Sequence, residues 1–185
     1  MDGLEEENKV TNRKSRILIF TGDGKGKTTA ALGMALRASG HGMRTLILQF
    51  IKADATVGEL TAVKNLPGVE IIQTGRGFVP SPIDLAFPEH RQAACHGLEK
   101  AAEALRSRNY GLIILDEICT AMDKGLITED QIIDLIEESG GVSCLVLTGR
   151  GATNRLIAKA DTVTEMRSIK HGLDEGITAQ KGVEY

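Results

Sequence analysis

Tryptophan is missing from this 185-residue chain, and four Phe and two Tyr are its only aromatic residues. A large pocket walled by aromatic rings is therefore not on offer. Cysteine is scarce. Cys95, Cys119 and Cys144 are far apart, odd in number and form no C-x-x-C, which signals neither a disulfide framework nor a zinc site. They read as small buried hydrophobes in a reducing compartment. No apolar run approaches the ~18 residues of a membrane span. Met1 to Arg16 is acidic and then basic without an apolar centre, unlike a secretory signal or an acid-poor transit peptide. The expected location is the cytoplasm. Positive charge is not in excess either: 22 Lys and Arg face 25 Asp and Glu, a net charge of −3. Nucleic acid is thereby disfavoured as the main partner.

Glycine is what the chain has in abundance, at 21 of 185 residues, or about 11% against a usual ~7%. Hydrophobic residues make up 42% and charged residues 25%, values of an ordinary globular chain with room for one domain. We read residues 1–15 as a flexible N-terminal arm and 16–185 as a single domain.

Strand and helix signals alternate along that domain. Strands are expected over Arg16–Thr21, Thr45–Ile51, Val69–Thr74, Tyr110–Leu115, Ser143–Leu147 and Thr162–Ile169. Lys27–Ser39 reads as a helix that is apolar on most sides and buried, stopped by Gly40 and Gly42. Val57–Asn65 and Asn154–Ala160 read as short helices. Pro88–Ser107 is a longer one, with Pro in its first turn and Ala94, Leu98, Ala101 and Leu105 on one face. Ile132–Ile136 lies in another, preceded by the capping-box pair Thr128 and Gln131 and ended by Gly140 and Gly141. Continuous Ile/Leu/Val strands interleaved with helices imply an α/β fold, a mostly parallel sheet of about six strands with helices on both faces. Such sheets bind ligands at the carboxyl ends of their strands. Every strand end here is polar, charged or Gly-rich, including Gln49 and Lys52 after the second and Gly75 to Phe78 after the third.

The first strand runs into Gly22-Asp23-Gly24-Lys25-Gly26-Lys27-Thr28, followed by Thr29. A Gly-rich loop between strand and helix points backbone N–H groups at a phosphate, and the helix N-terminus adds its dipole. Lys27 should reach phosphate oxygens and Thr28 should place its hydroxyl on Mg²⁺. The usual P-loop has Gly five residues before Gly26, where this chain has Thr21. Leu112–Glu117 (LIILDE) reads as a Walker-B-like strand whose carboxylates, Asp116 and Glu117, emerge where the cation would sit. Arg150, between two glycines after the fifth strand, is a candidate phosphate contact or else a surface arginine. His41, His90, His96 and His171 show no ligand spacing, and no Ser-His-Asp or Cys-His arrangement is evident. The three-layer P-loop, RecA-like architecture thus comes without an evident protein nucleophile.

The segments TGDGKGKTTAALGMALRASGHG, LILQFIK, GVEII, LIILDEI, LTGRG, ADTVTEMR and KHGLDEGITAQKGVEY resemble, in order and spacing, the P-loop ATP:corrinoid adenosyltransferases. The resemblance covers residues 16 to 185. It implies transfer of the 5′-deoxyadenosyl group of ATP to the Co(I) of a reduced corrinoid, with release of tripolyphosphate. The corrinoid would be cob(I)alamin or a cobyrinic acid a,c-diamide type, and the cation Mg²⁺ or Mn²⁺. A homodimer and a flavin-dependent reductase as partner are also implied. Carried over by residue, Gly22, Asp23, Gly24, Lys25, Gly26, Lys27, Thr28 and Thr29 would hold the triphosphate. Glu117 would be the metal-linked carboxylate ahead of Asp116, and Arg150 a phosphate contact. Family members bind ATP in an inverted sense in this loop, and Thr21 matches their loop. Well-known members also place a Phe, and a Trp two residues on, over the corrinoid. Here Phe78 matches the first, Pro80 holds the second position, and Phe78 as a core or hinge aromatic is the competing reading. Two other functions remain open on the residues alone: a P-loop kinase or ATPase releasing ADP, and a non-catalytic corrinoid escort.

Overall fold

Parallel strands need a crossover between them, and the alternation in this sequence supplies one each time. The computed structural model describes residues 15–184. Six strands, β1 (Arg16–Thr21), β2 (Thr45–Gln49), β3 (Val69–Gln73), β4 (Leu112–Asp116), β5 (Cys144–Thr148) and β6 (Thr162–Glu165), form one sheet in the order β3-β2-β4-β5-β1-β6. Every pairing is parallel. Six α-helices accompany them: α1 (Lys27–Gly40), α2 (Gly58–Val63), α3 (Phe87–Ser107), α4 (Ile118–Asp123), α5 (Glu129–Glu138) and α6 (Asn154–Lys159). Residues 1–14, nearly all of the expected arm, lie outside the described residues. Ser15, the last residue assigned to that arm, is buried and donates its hydroxyl to the carbonyls of Ser139 and Val142.

Side chains alternate across each strand and build two cores. On one face Ile17, Ile19, Leu46, Leu48, Ile113, Leu115, Leu145 and Leu147 pack with the buried faces of α3 and α5. On the other, Ile47, Leu112, Ile114 and Val146 meet Ala31, Ala35 and Ala38 of α1. The reading of α1 as apolar on most sides and buried needs correcting. Only those three alanines are buried, and Leu36 is 58% exposed. A stripe of methyl groups lets the helix lie close to the sheet, so one face is enough.

Other boundaries shift for identifiable reasons. β2 ends at Gln49 rather than Ile51, because the Ile51 carbonyl accepts from Gly77 in the loop after β3. β6 ends at Glu165 rather than Ile169, where the chain turns to run along the glycine loop. α4 was not foreseen: six residues are too few to show a helical period. The capping box on α5 is present, with Gln131 N–H donating to Thr128 Oγ1 and Thr128 N–H to Gln131 Oε1.

Register sets up the site. Gln49 pairs with Gln73 on one side and Asp116 on the other, so three polar side chains stand in a row at the carboxyl ends of β3, β2 and β4. The sheet is also tightly backed there. A Cβ on Gly97 of α3 would lie 2.8 Å from Thr74 Oγ1 and 2.9 Å from Phe50 Cε1. Gly97→Ala is therefore expected to cost about 1–3 kcal/mol through overpacking. Thermal unfolding should register it as a Tm drop of roughly 2–4 °C per kcal/mol; an unchanged Tm would show that Phe50 yields freely.

Candidate functional site

The glycine loop joins β1 to α1. Gly26, at φ 110°, is the N-cap of α1 and provides no side-chain cap. The N–H groups of the first helical turn are thus left for a ligand. Gly22 and Gly24 have a steric reason to be glycine besides any approach to a phosphate. A Cβ at Gly22 would meet Met166 O at 2.4 Å, and one at Gly24 would meet Arg167 C at 2.7 Å. The loop is pressed against the chain that leaves β6, and Gly24 N–H donates to Met166 O at 2.7 Å. Lys27 folds back over it, its Nζ donating to Gly22 O at 2.6 Å and Gly24 O at 2.7 Å. Burial and the nearby Arg150 lower its pKa, against the opposing pull of Asp23 and Glu117.

Asp116 is 1% exposed and engaged on both oxygens. Thr28 Oγ1 donates to Oδ1 at 2.8 Å and Thr148 Oγ1 to the same atom at 2.7 Å. Gln49 Nε2 donates to Oδ2 at 3.2 Å, with Lys52 Nζ 3.7 Å away. Gln73 Nε2 in turn donates to Gln49 Oε1 at 3.0 Å. A chain of hydrogen bonds thus runs from edge strand β3 to the start of α1. Gln49 is among the polar strand ends visible in the sequence, but its bond to Asp116, like that of Thr148, is not legible there. The available signal was a polar side chain closing an otherwise apolar strand.

Glu117 stands at the mouth of this network. Its φ of 61° is left-handed, which costs a non-glycine residue about 1–2 kcal/mol. Thr148 Oγ1 accepts its N–H at 2.8 Å and helps hold that turn. Burial, and then the charge of Asp116, raise its pKa, with Lys52, Lys27 and Arg150 pulling the other way. Unlike Asp116, its side chain lines the open cleft.

That cleft measures about 990 Å³. It brings together Asp23, Gly24, Lys25, Gly26, Lys27, Thr28, Thr29, Glu117 and Arg150 from the sequence reading. Arg150 reaches back to the loop, its Nη2 3.4 Å from Asp23 O. Lys52, visible in the sequence only as a polar strand end, lines the cleft together with Glu59 of α2, and the sequence gives no sign of Gly182 to Glu184, where Glu184 pairs with Lys25 at 3.5 Å. Phe78 is not brought into the cleft. It is 93% exposed on the loop after β3, with Ile83 at 94% and Leu85 at 96% on the same excursion. It is therefore no core residue.

No protein nucleophile emerges among the described residues. Burial pushes Cys119 up to about 12 and Cys144 up to about 11, so neither is a ready thiolate. His171 Nδ1 accepts from Leu173 N–H and caps a short 3₁₀ turn. No cluster of three or more His, Cys, Asp or Glu among the described residues could cage a metal ion. The hard oxygen donors of Thr28, Glu117 and Asp116 fit Mg²⁺, which characteristically uses one or two carboxylates together with substrate phosphates.

The strain and burial of Glu117 give a stability signature. Its folded pKa is raised, so wild-type stability falls as pH climbs from the ordinary Glu value of ~4.3 through the folded one. Glu117→Gln should therefore raise the Tm of the ligand-free protein at neutral pH, and the gain should vanish in acid. Melting curves across pH in chelator would test this; a lower Tm at neutral pH would show that the carboxylate is stabilising.

Similarity to known proteins agrees with this geometry. The ATP:corrinoid adenosyltransferase family BtuR/CobO/CobP matches residues 13–185. The chain is 38% identical over 170 residues to the corrinoid adenosyltransferase of Pseudomonas aeruginosa, spanning 91% of this chain and 83% of that one. It is 35% identical over 174 residues to corrinoid adenosyltransferase CobA of Salmonella typhimurium, spanning 91% and 85%. Among solved structures, the flagellar accessory protein FlaH of Methanocaldococcus jannaschii superposes with a TM-score of 0.53 over 82% of this chain and 70% of that one. At 11% identity that likeness speaks to the fold alone. With the family match running across nearly its whole length, the chain belongs to the ATP:corrinoid adenosyltransferases.

Proposed function

We propose that this protein transfers the 5′-deoxyadenosyl group of ATP to the Co(I) of a reduced corrinoid and releases tripolyphosphate. The reaction would serve adenosylcobalamin biosynthesis or salvage. The observation that carries this is a cleft of about 990 Å³ built on a GKT loop in a chain of this family, with no evident nucleophile beside it among the described residues. Co(I) supplies the nucleophile, so the protein has only to bind, orient and stabilise charge.

The residues divide that work. The open N-terminus of α1 and the loop N–H groups cradle the outer phosphates. Lys27 exchanges its loop carbonyls for phosphate oxygens. Arg150 and Lys25 close on the chain from the sides, and Thr29 adds a hydroxyl. Thr28 donates its hydroxyl hydrogen bond to Asp116, which leaves a lone pair of the Thr28 oxygen free to face a cation, and Glu117 offers a carboxylate on the other side. Mg²⁺ or Mn²⁺ held there would neutralise charge on the departing tripolyphosphate. Asp116, with both oxygens engaged, orients Thr28 rather than taking the cation as its main ligand. Phe78, Ile83 and Leu85 form an apolar excursion of the kind that a flat macrocycle can cover. Family resemblance supports a homodimer, a cytoplasmic setting and a flavin-dependent reductase as the electron source. No helix among the described residues is long and apolar enough to cross a membrane.

Product analysis tests the proposal. Incubation with ATP, Mg²⁺ and chemically reduced cobalamin should give an adenosylated corrinoid and tripolyphosphate. ADP and phosphate would instead indicate a kinase or ATPase, and binding without turnover an escort. Lys27→Ala should lower the rate on the order of 10²-fold or more, since it removes the central cation of a preorganised site; near-wild-type turnover would sink the phosphate-loop assignment. Phe78→Ala should impair the reaction that starts from Co(II) with a mild reductant and spare more of the one that starts from pre-formed Co(I). A ring that excludes water from the lower axial position matters only before reduction. Equal losses in both assays would remove Phe78 from that role.

A further inference from the structure

Lys52 belongs to the cleft, yet neither the glycine loop nor the Asp-Glu strand end accounts for it. It follows β2, its side chain is 28% exposed, and its Nζ lies 3.0 Å from Glu59 Oε1 and 3.7 Å from Asp116 Oδ2. The other cations lining the cleft, Lys25, Lys27, Lys124 and Arg150, come from segments that follow β1, β4 and β5. Lys52 alone approaches from the β2 side.

What stands next to it gives that position meaning. The loop that carries Phe78 is stitched to Gln49 and Ile51, just before Lys52. Thr74 and Gly75 N–H donate to Gln49 O at 3.0 and 3.2 Å, and Gly77 N–H donates to Ile51 O at 2.7 Å. A Cβ on Gly75 would sit 2.2 Å from the Ile51 carbonyl, so this seam closes only with glycine. Along the sheet order, the phosphate loop stands over β1, Glu117 follows β4, Lys52 follows β2 and Phe78 follows β3. In adenosyl transfer the atom under attack is C5′, bonded to the α-phosphate. The α-phosphate must then lie toward the corrinoid, with the outer phosphates in the loop. A triphosphate laid in that direction runs toward the β2 side of the cleft, which Lys52 lines.

We propose that Lys52 is the cation that receives the α-phosphate oxygen as it leaves C5′. The inference rests on the adenosyl-transfer reading and on a corrinoid seated at the Phe78 loop. In the step, Co(I) gives its electron pair to C5′ and becomes Co(III). The C5′–O bond breaks with its pair going to the α-phosphate oxygen, and no proton moves. The polyphosphate gains one unit of negative charge at the atom nearest Lys52, where a positioned ammonium lowers the barrier. Glu59 holds the stem in place, and a lysine has three donors, so the Glu59 bond survives when a phosphate oxygen is added. Burial works against the ammonium, but Asp116 and Glu59 outweigh it and keep Lys52 protonated.

The test separates this role from that of a counter-ion for Asp116 and Glu59. Lys52→Met and the charge-balanced pair Lys52→Met with Glu59→Gln are compared with wild type on pre-formed cob(I)alamin. Each should lose on the order of 10²-fold in kcat while ATP affinity stays within about threefold, because the new charge exists only as the bond breaks. Tripolyphosphate should bind about tenfold more weakly by calorimetry, and Lys52→Arg should recover part of kcat. A folded double variant with kcat within about threefold of wild type overturns the proposal, as does a kcat loss matched by an equal loss of ATP affinity. A wild-type protein that forms no adenosylated corrinoid overturns the parent reading along with it. Wild-type turnover with an unimpaired variant overturns Lys52 alone.

Discussion

A carboxylate with almost no solvent, Asp116, is the constraint on which the rest of this site depends. An ionised group so deeply buried is tolerable only when both oxygens are satisfied, and here the donors come from every side. Thr28 ties it to α1 and so to the phosphate loop, Thr148 to β5, and Gln49 to β2. The hydroxyl of Thr148 also receives the N–H of Glu117, so the atom that satisfies Asp116 helps hold the strained turn that aims Glu117 outward. Removing one member would leave a buried charge short of a donor.

The same arrangement divides labour between two adjacent carboxylates. Asp116 is saturated and internal, while Glu117 lines the cleft with its pKa raised. A carboxyl that is costly to ionise in the empty protein gains most from an arriving cation. Strain and electrostatic cost therefore sit on one residue at the mouth of the cleft.

The ligand-free cleft is close to charge-balanced. Lys25 meets Glu184, Arg150 approaches Asp23, Lys52 meets Glu59, and Lys27 rests on carbonyls. These partners offset the cations of the cleft in the ligand-free protein. The apolar loop of Phe78, Ile83 and Leu85 is the counterpart: it has no partner within the described chain and stands outside the polar cleft.

Much of this was legible in the residues. Continuous apolar strands between helical segments specify a parallel sheet, because only a strand buried on both faces can afford them. Strand-GKT-helix specifies a tight loop that opens a helix, because the glycines mark where the strand ends and α1 begins. Those are local facts, carried by neighbours in the chain. What the sequence could not show depends on residues far apart. The buried character of Asp116 required Thr28, Gln49 and Thr148 from three other segments. The glycine pattern suggests a phosphate cradle at Gly22 and Gly24 but does not show that the chain leaving β6 also forbids a side chain there. The one-sided burial of α1, the contribution of residues 182–184 to the cleft and the closeness of Lys52 to the Phe78 loop all follow from strand order. That order, β3-β2-β4-β5-β1-β6, comes from how the helices cover the two sheet faces and not from any short stretch of chain.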